Sequence, residues 1–451
     1  MEKKRGSFTG QIGFVLAAAG SAVGLGNLWR FPYLAAEYGG GIFILVYIIL
    51  ALTFGFALLV TEIAMGRKTK KSPMIAYGMF HKKFKFVGYL ACLVPVIILP
   101  YYCVIGGWVI KYMTVYMTGQ TAMAAESTFF GSFAGETVAP LVFFWIYLLA
   151  TFAIVVAGVD KGIEKASRIL MPILLVLMVG ICIYIATLPG ALEGIKYYLL
   201  PDFANLSFKT VCVAMGQLFF SMSLAMGIMV TYGSYTSDDV NLVKSVNYIE
   251  IFDTVVALLA GMMVVPAVYI SSAGVESMTK GPSLMFVSLP AIFGDMPGGT
   301  IVGLAFFVLV LFAALTSSVS VMEAIVSCVM DKLHLKRTTA AIAVLVFSAI
   351  LGVPSSLGFG VLSGVTPLGM DFLTFFDYIS NSVLMPIVAL LTCIMIGWIC
   401  GTKVISDEVS KNGEHFGRKK LFEFMIKYVC PVMMIIILVF YTMEAFGLIT
   451  V

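Results

Sequence analysis

The chain reads as long apolar runs separated by short polar breaks. The runs lie at about 11–36, 40–66, 86–117, 140–157, 166–188, 210–235, 242–272, 300–330, 338–353, 375–401 and 424–449. Most reach the roughly 20 residues that a helix needs to cross the hydrocarbon of a bilayer. Helices are expected because backbone N–H and C=O groups in hydrocarbon must be satisfied inside the segment. The ten-residue alternation of a membrane β-barrel is missing. The pattern predicts an all-α polytopic membrane protein with 11 spans.

Composition agrees. Of the 451 residues, 61% are hydrophobic and 12% charged, where a soluble domain carries about 25% charged residues. The mean hydropathy is +1.03. Lys3, Lys4 and Arg5 ahead of an apolar run with Ala17, Ala18 and Ala19 imitate a signal peptide. Another apolar run follows at once, so the first is expected to be retained as a span. Of the 28 Lys and Arg, 22 fall in one set of alternate polar segments: the N-terminus, 67–85, 158–168, 236–244, 331–337 and 402–420. The positive-inside rule then places the N-terminus in the cytoplasm of a multi-pass protein of the cell (plasma or inner) membrane. Between spans, the stretch 273–299 carries Pro282, Leu284, Met285, Phe286 and Pro290 and is expected to form a re-entrant lid.

Several chemistries are excluded. No basic block is interleaved with aromatics for nucleic acid. No Gly-Lys pair occurs, so no Walker A motif is present. The 8 cysteines lie in or beside apolar runs without a CxxC spacing, and read as small buried hydrophobes. His81, His334 and His415 lie in charged loops, which leaves no imidazole at membrane depth for a hydrolase or a haem. No catalytic residue is expected, and no obligatory protein partner is evident.

Two runs are unlike the rest. The first contains Gly20-Ser21-Ala22-Val23-Gly24-Leu25-Gly26-Asn27, and the sixth Ser221-Met222-Ser223-Leu224-Ala225-Met226-Gly227. Small and polar residues in mid-span point to interrupted helices. An interruption at corresponding places in two halves of opposite sense is the sequence sign of a secondary transporter. Tight small-residue helix contacts are the alternative.

Gly24-Leu25-Gly26-Asn27-Leu28-Trp29-Arg30-Phe31-Pro32-Tyr33, followed by Gly39-Gly40-Gly41, resembles the first-helix signature of the neurotransmitter:sodium symporters. Further stretches match in order: Glu62 to Arg67, Tyr102 to Trp108, Gly216 to Ser221, Leu315 to Ser318, and Asp377-Tyr378. The chain is identified as resembling the bacterial, eleven-helix branch. The resemblance implies a LeuT fold with broken helices 1 and 6. Its inverted five-plus-five repeat would occupy residues 1–188 and 210–401, with 424–449 as an additional helix. It implies a sodium-coupled symporter that imports a hydrophobic or aromatic L-amino acid by alternating access. A non-transporting amino-acid receptor on the same fold is the alternative. The lipid bilayer, the amino acid and Na⁺ are the expected partners.

Site residues follow from the resemblance, position by position. The unwound turn Gly24, Leu25 and Gly26 with Tyr102 would take the substrate carboxylate, a half-helix N-terminus being a ready anion site. Amine transporters of the family carry an acid where Gly24 stands, so the substrate is expected to bring its own carboxylate. Carbonyls of the two broken helices, at Ala22, Phe219 and Ser221, would meet the amino group. Ile98, Phe220, Ser223, Met226 and Val321 would line the side-chain pocket, with unbranched Met226 adaptable to a large substrate. Ala225 stands where a glycine is common.

Two sodium sites are implied, both built from hard oxygen ligands. One takes Ala22, Asn27, Ser221 and Asp253. The other takes Gly20, Val23, Ala313, Thr316 and Ser317. Asp253, an acid in mid-span, is a functional candidate on membrane physics alone. Its fixed charge implies chloride independence and admits proton counter-movement. Glu62 is implied as the brace of the sixth helix, whereas Glu323 receives no role. Arg30 with Asp377 (Asp371 being a rival) would form the external gate, and Arg5 with Asp331 and Tyr235 the cytoplasmic one. Gly162 and Pro172 match a Gly-x9-Pro motif that lets the fifth helix unwind.

Overall fold

The computed structural model describes residues 6–271 and 281–445. Among them the chain is helical, with one isolated bridge between Gly40 and Pro201. The principal helices are α1 (Gln11–Ala22), α2 (Gly26–Glu37), α3 (Gly41–Thr69), α4 (Lys82–Met117), α5 (Ala139–Val156) and α6 (Val159–Ala186). Then come α7 (Phe208–Ser221), α8 (Ile228–Tyr235), α9 (Leu242–Tyr269), α10 (Leu284–Asp295) and α11 (Gly299–Leu333). The last are α12 (Arg337–Leu357), α13 (Phe372–Ile399) and α14 (Lys419–Ala445).

Nine of these helices are long and apolar enough to cross a membrane, and α1 with α2 forms a tenth candidate bent by 53°. The sixth predicted run is realised as the shorter pair α7 and α8. The fifth begins at Val159 rather than near 166. Asp160, Lys161, Glu164 and Lys165 interrupt the apolar run in the sequence, but in the fold Glu164 is buried and joins the helix. Of the stretch 273–299 expected as a lid, 273–280 lies outside the described residues; in the rest α10 buries Leu284, Met285 and Phe286, and Phe286 packs on Trp108, Tyr112 and Phe130.

Burial sorts the helices into a centre and a rim. The most apolar stretch of α4 is 78% buried, against 33% for α5 and 28% for α6 and α14. Helix α4 therefore forms the core wall, and the other three face lipid. Helix α6 exposes Ile169, Ile173, Val176 and Ile183, a stripe at helical spacing.

The two interruptions face each other across the centre. At the first, Val23 leaves helical geometry (φ −77°, ψ 100°), and the Gly24 N–H donates to Asn27 Oδ1 at 3.1 Å. At the second, Ser223, Ala225 and Gly227 all have positive φ, at 53°, 58° and 71°. Left-handed geometry costs an L-residue roughly 1–2 kcal/mol, so Ser223 and Ala225 are held against their preference. Glu62 of α3 does part of the holding, accepting the Ala225 N–H at 2.7 Å. Ser223 Oγ donates to the Ser21 carbonyl at 3.0 Å, tying one break to the other. Helix α8 lies close against α3 through Gly66 and Gly233, where an added Cβ would sit 1.9 and 2.2 Å from the Val230 and Ile63 carbonyl oxygens.

Candidate substrate and sodium site

A cavity of about 30 Å³ lies between the two breaks, lined among others by Ala22, Gly24, Asn27, Ile98, Ser221 and Val321. Every residue expected in the side-chain pocket lines it: Ile98, Phe220, Ser223, Met226 and Val321. Gly24, Leu25, Gly26 and Tyr102 line it too. The Leu25 N–H donates to Tyr102 Oη at 3.4 Å, which leaves the hydroxyl proton of Tyr102 free to point elsewhere. Gly24 has no room for a side chain, since a Cβ there would lie 2.7 Å from Ser317 Oγ and 3.0 Å from Tyr102 Oη.

Phe219 turns its ring away from this cavity. Its ring packs near Phe54, at a centroid separation of 6.4 Å, and lines a neighbouring cavity with Arg30 and Asp377. Its carbonyl accepts the Leu224 N–H. Successive side chains on α7 point in different directions, so Phe220 takes the ring position over the cavity. A Cβ on Gly26 would meet that ring at 2.6 Å.

One proposed ion site is a tight polar hub. Asn27 Nδ2 donates to Asp253 Oδ1 at 2.8 Å and lies 2.9 Å from Ser221 Oγ. Ser221 Oγ donates to the same carboxylate oxygen at 2.8 Å. Tyr47 Oη donates to the other oxygen at 3.0 Å. Asp253 and Asn27 are both fully buried. The sequence reading missed Tyr47: one of 20 tyrosines, in an otherwise apolar run, carries no local signal. It also missed Gln217, whose amide donates to the Gly26 carbonyl at 2.9 Å.

At the other, Ser317 Oγ lies 3.3 Å from the Gly20 carbonyl and 3.1 Å from that of Val23. Thr316 Oγ1 turns back on its own helix, 3.0 Å from the Ala313 carbonyl. Gly20, Val23 and Ser317 thus meet at the α1–α11 contact, while the oxygens of Thr316 and Ala313 are engaged with each other inside α11. No cluster of three His, Cys, Asp or Glu side chains suited to a metal occurs among the described residues. Neutral oxygens with at most one carboxylate are a donor set for a hard monovalent cation.

The sequence profile of the sodium:neurotransmitter symporter family matches residues 5–132 and 131–448. The chain belongs to that family. It is 34% identical to an uncharacterized sodium-dependent transporter, YhdH, of Bacillus subtilis, covering 97% of each chain. It is 26% identical to the sodium- and chloride-dependent creatine transporter 1 of Homo sapiens, over 90% of this chain and 72% of that one. Among solved structures it is similar to MhsT in complex with L-phenylalanine. There the TM-score is 0.87 at 37% identity, covering 96% of this chain and 99% of that one. The protein is a sodium-dependent, multi-pass membrane transporter of LeuT-like fold, and not an enzyme.

In this symporter the residues expected at the external gate lie beside the central cavity. Above it, Arg30, Phe220 and Asp377 line a larger cavity of about 220 Å³. Arg30 and Asp377 make no direct ion pair. Arg30 donates to Tyr441 Oη at 3.2 Å, and Asp377 accepts from Tyr101 at 3.0 Å and Asn381 at 2.5 Å. The Arg30 guanidinium sits 5.7 Å from the centre of the Phe220 ring. Asp371 caps the helix that follows it, accepting the Thr374 N–H at 3.0 Å.

At the basic end, Asp331 accepts the Ser72 N–H at 2.6 Å. Arg5 lies outside the described residues. Tyr235 donates to Glu323 at 2.6 Å, and Arg337 forms an ion pair with the same carboxylate. Glu323, without a role in the sequence reading, is thus the buried centre of a Tyr235–Glu323–Arg337 cluster. Gly162 and Pro172 both lie in α6, which is helical throughout. A Cβ on Gly162 would meet the Ile154 carbonyl at 2.0 Å.

Proposed function

We propose that this symporter imports a hydrophobic or aromatic L-amino acid with Na⁺ by alternating access and without a chloride requirement. One observation carries the reading: Gly24 stands beside Tyr102 and Ser317 with no room for a side chain, and Asn27 links its N–H to the buried carboxylate of Asp253. Gly24 stands where the family's amine carriers place a protein acid, so the substrate would bring its own carboxylate. The unwound Leu25-Gly26 backbone and Tyr102 would hold it, and the carbonyls of the two breaks near Ala22, Phe219 and Ser221 would take the amino group. The pocket walls are apolar, with Ile98, Met226 and Val321 buried around them. A large side chain requires Phe220 and Met226 to shift from the compact arrangement, and both have the rotamer freedom to do so. The L-phenylalanine of the MhsT structure supports the substrate class.

Ala22, Asn27, Ser221 and Asp253 would coordinate one Na⁺ and share it with the substrate carboxylate, which couples ion to substrate directly. Gly20, Val23, Ala313, Thr316 and Ser317 would take a second. The fixed charge of Asp253 supplies the anion that chloride provides elsewhere. The distribution of Lys and Arg supports a cytoplasmic N-terminus. Residues 1–188 and 210–401 would be the inverted repeats. Arg30, Phe220 and Asp377 would close the outer path, and Arg5, Asp331 and Tyr235 the inner one. The test is a competition panel of the twenty L-amino acids, tyramine and tryptamine against labelled L-phenylalanine bound in Na⁺. Displacement confined to large apolar and aromatic L-amino acids is expected. Displacement by either amine at comparable concentration overturns the substrate class.

A further inference from the structure

Arg30 of α2 and Asp377 of α13 line the same two cavities, one of about 220 Å³ above the central site and one of about 20 Å³. Yet the guanidinium is turned toward α14. Arg30 Nη2 donates to Tyr441 Oη at 3.2 Å. The guanidinium carbon lies 6.0 Å from the centre of the Tyr441 ring and 5.7 Å from that of Phe220. Tyr33, nearly one turn along α2, hydrogen-bonds the same group. Tyr441 reaches this place because Gly216 of α7 leaves space for it: a Cβ there would lie 2.1 Å from the Tyr441 hydroxyl.

The α13 side of the small cavity is prepared for a cation. Asp377 accepts from Tyr101 at 3.0 Å and from Asn381 at 2.5 Å, and both bonds end on Oδ1. Asn381 Oδ1 is buried and has no hydrogen-bond partner among the described residues. Such an atom calls for a donor. A guanidinium carries five N–H donors in a planar fork, enough to meet a carboxylate and an amide oxygen together. Asn381 also lies in the π-turn Tyr378–Leu384, a geometry that is rare and recurs at functional sites.

We propose that Tyr441 is a positioning residue that holds Arg30 away from Asp377 and so keeps the outer path open until the arginine changes partner. The inference rests on the reading of Arg30, Phe220 and Asp377 as the outer gate. Tyr441 itself lines neither the central cavity nor the larger one above it, and it stands on α14, outside the proposed repeats. Leaving Tyr441 costs the arginine one hydrogen bond and a ring contact. Reaching Asp377 and Asn381 gives an ion pair and satisfies the unpartnered amide oxygen. One side chain with two resting places is an equilibrium that a differential contact shifts, and the Tyr441 hydroxyl is that contact on the open side.

A thiol placed in the central cavity by Ile98→Cys tests this. Its modification by 2-aminoethyl methanethiosulfonate, added outside right-side-out vesicles in Na⁺ without amino acid, reads how often the outer path is open. It requires no knowledge of the substrate. The same variants without Ile98→Cys give the background from the 8 native cysteines. Tyr441→Phe should slow modification roughly threefold, within the contribution of one net hydrogen bond. Asp377→Asn should speed it. Tyr441→Phe added to Asp377→Asn should then have no further effect, because the arginine has no carboxylate to go to. Gly216→Ala, which displaces the Tyr441 hydroxyl, should also slow modification, and it decides the matter if Tyr441→Phe does not fold. Modification that Tyr441→Phe leaves unchanged, or slows equally with and without the Asp377 carboxylate, overturns the proposal. Modification unaffected by Asp377→Asn alone contradicts the outer-gate reading and takes this inference with it.

Discussion

Asn27 and Asp253, separated by 226 positions, share a hydrogen bond of 2.8 Å at the centre of the bundle. The Asn27 amide faces two ways: its oxygen accepts the Gly24 N–H at 3.1 Å, and its nitrogen reaches Asp253 and Ser221. One side chain thus joins the break between α1 and α2 to α9 and to the end of α7. A ligand bound at the break bears on both halves of the molecule through it.

Replacing Asp253 by Asn tests the fixed-charge argument. The variant keeps the shape and loses the charge that Asn27, Ser221 and Tyr47 solvate. Uptake should fall steeply in chloride-free medium and be partly restored by chloride, because a mobile anion replaces the missing fixed one. Full chloride-independent uptake by Asp253→Asn would show that the acid is merely packed there.

Tyr102 and Gly24 test the carboxylate site. Tyr102→Phe removes a buried hydroxyl that accepts the Leu25 N–H. Removing one partner of a buried bond costs about 1–3 kcal/mol. Substrate affinity should fall roughly 5- to 150-fold, read by binding in saturating Na⁺. Gly24→Ala puts a methyl group against Ser317 and Tyr102, and L-phenylalanine binding should be lost while the protein remains folded by its melting curve.

Much of the architecture is legible in the sequence because bilayer thickness sets helix length. The run 242–272 emerges as Leu242–Tyr269 and 300–330 as Gly299–Leu333. The positions of the breaks are legible because Gly24 and the stretch 221–227 put helix-disfavouring residues in mid-span. Contacts between distant helices are not. Nothing local marks Tyr47 as the partner of Asp253, Tyr441 as the partner of Arg30, or Glu323 as the bridge from Tyr235 to Arg337. Glu164 was hidden because its neighbours Asp160, Lys161, Lys165 and Arg168 make it resemble ordinary loop charge.

Ala225 tests the strain at the second break. Its φ of 58° suits glycine better than alanine. Ala225→Gly should raise the apparent melting temperature in detergent by a degree or two, since about 1–2 kcal/mol of left-handed strain exceeds the roughly 0.5–1 kcal/mol entropic cost of glycine. Ala225→Val should lower it. A lower melting temperature for the glycine variant would contradict the strain argument.

Asp238 tests charge in the loop after α8. Lys411 and Lys70, bonded to its carboxylate, hold its pKa down to about 2. A lowered folded-state pKa stabilises above the ordinary value near 4, and that gain is lost as pH falls toward 2. The side chain is half-exposed, so the contribution stays within about 1 kcal/mol. Asp238→Asn should leave uptake at neutral pH within twofold of wild type and reduce thermal stability slightly. The difference between the two should vanish below about pH 2. A deficit that persists there would mean that Asp238 acts through something other than its charge.

The central claim is sodium-driven import of an amino acid through the Gly24–Asp253 site. Its most direct measurement is uptake of labelled L-phenylalanine into proteoliposomes with gluconate replacing chloride on both sides. An inward Na⁺ gradient should accumulate the amino acid above its external concentration, and dissipating the gradient should release it. Equilibration to the external concentration with or without the gradient, or accumulation only after chloride is restored, would contradict the account.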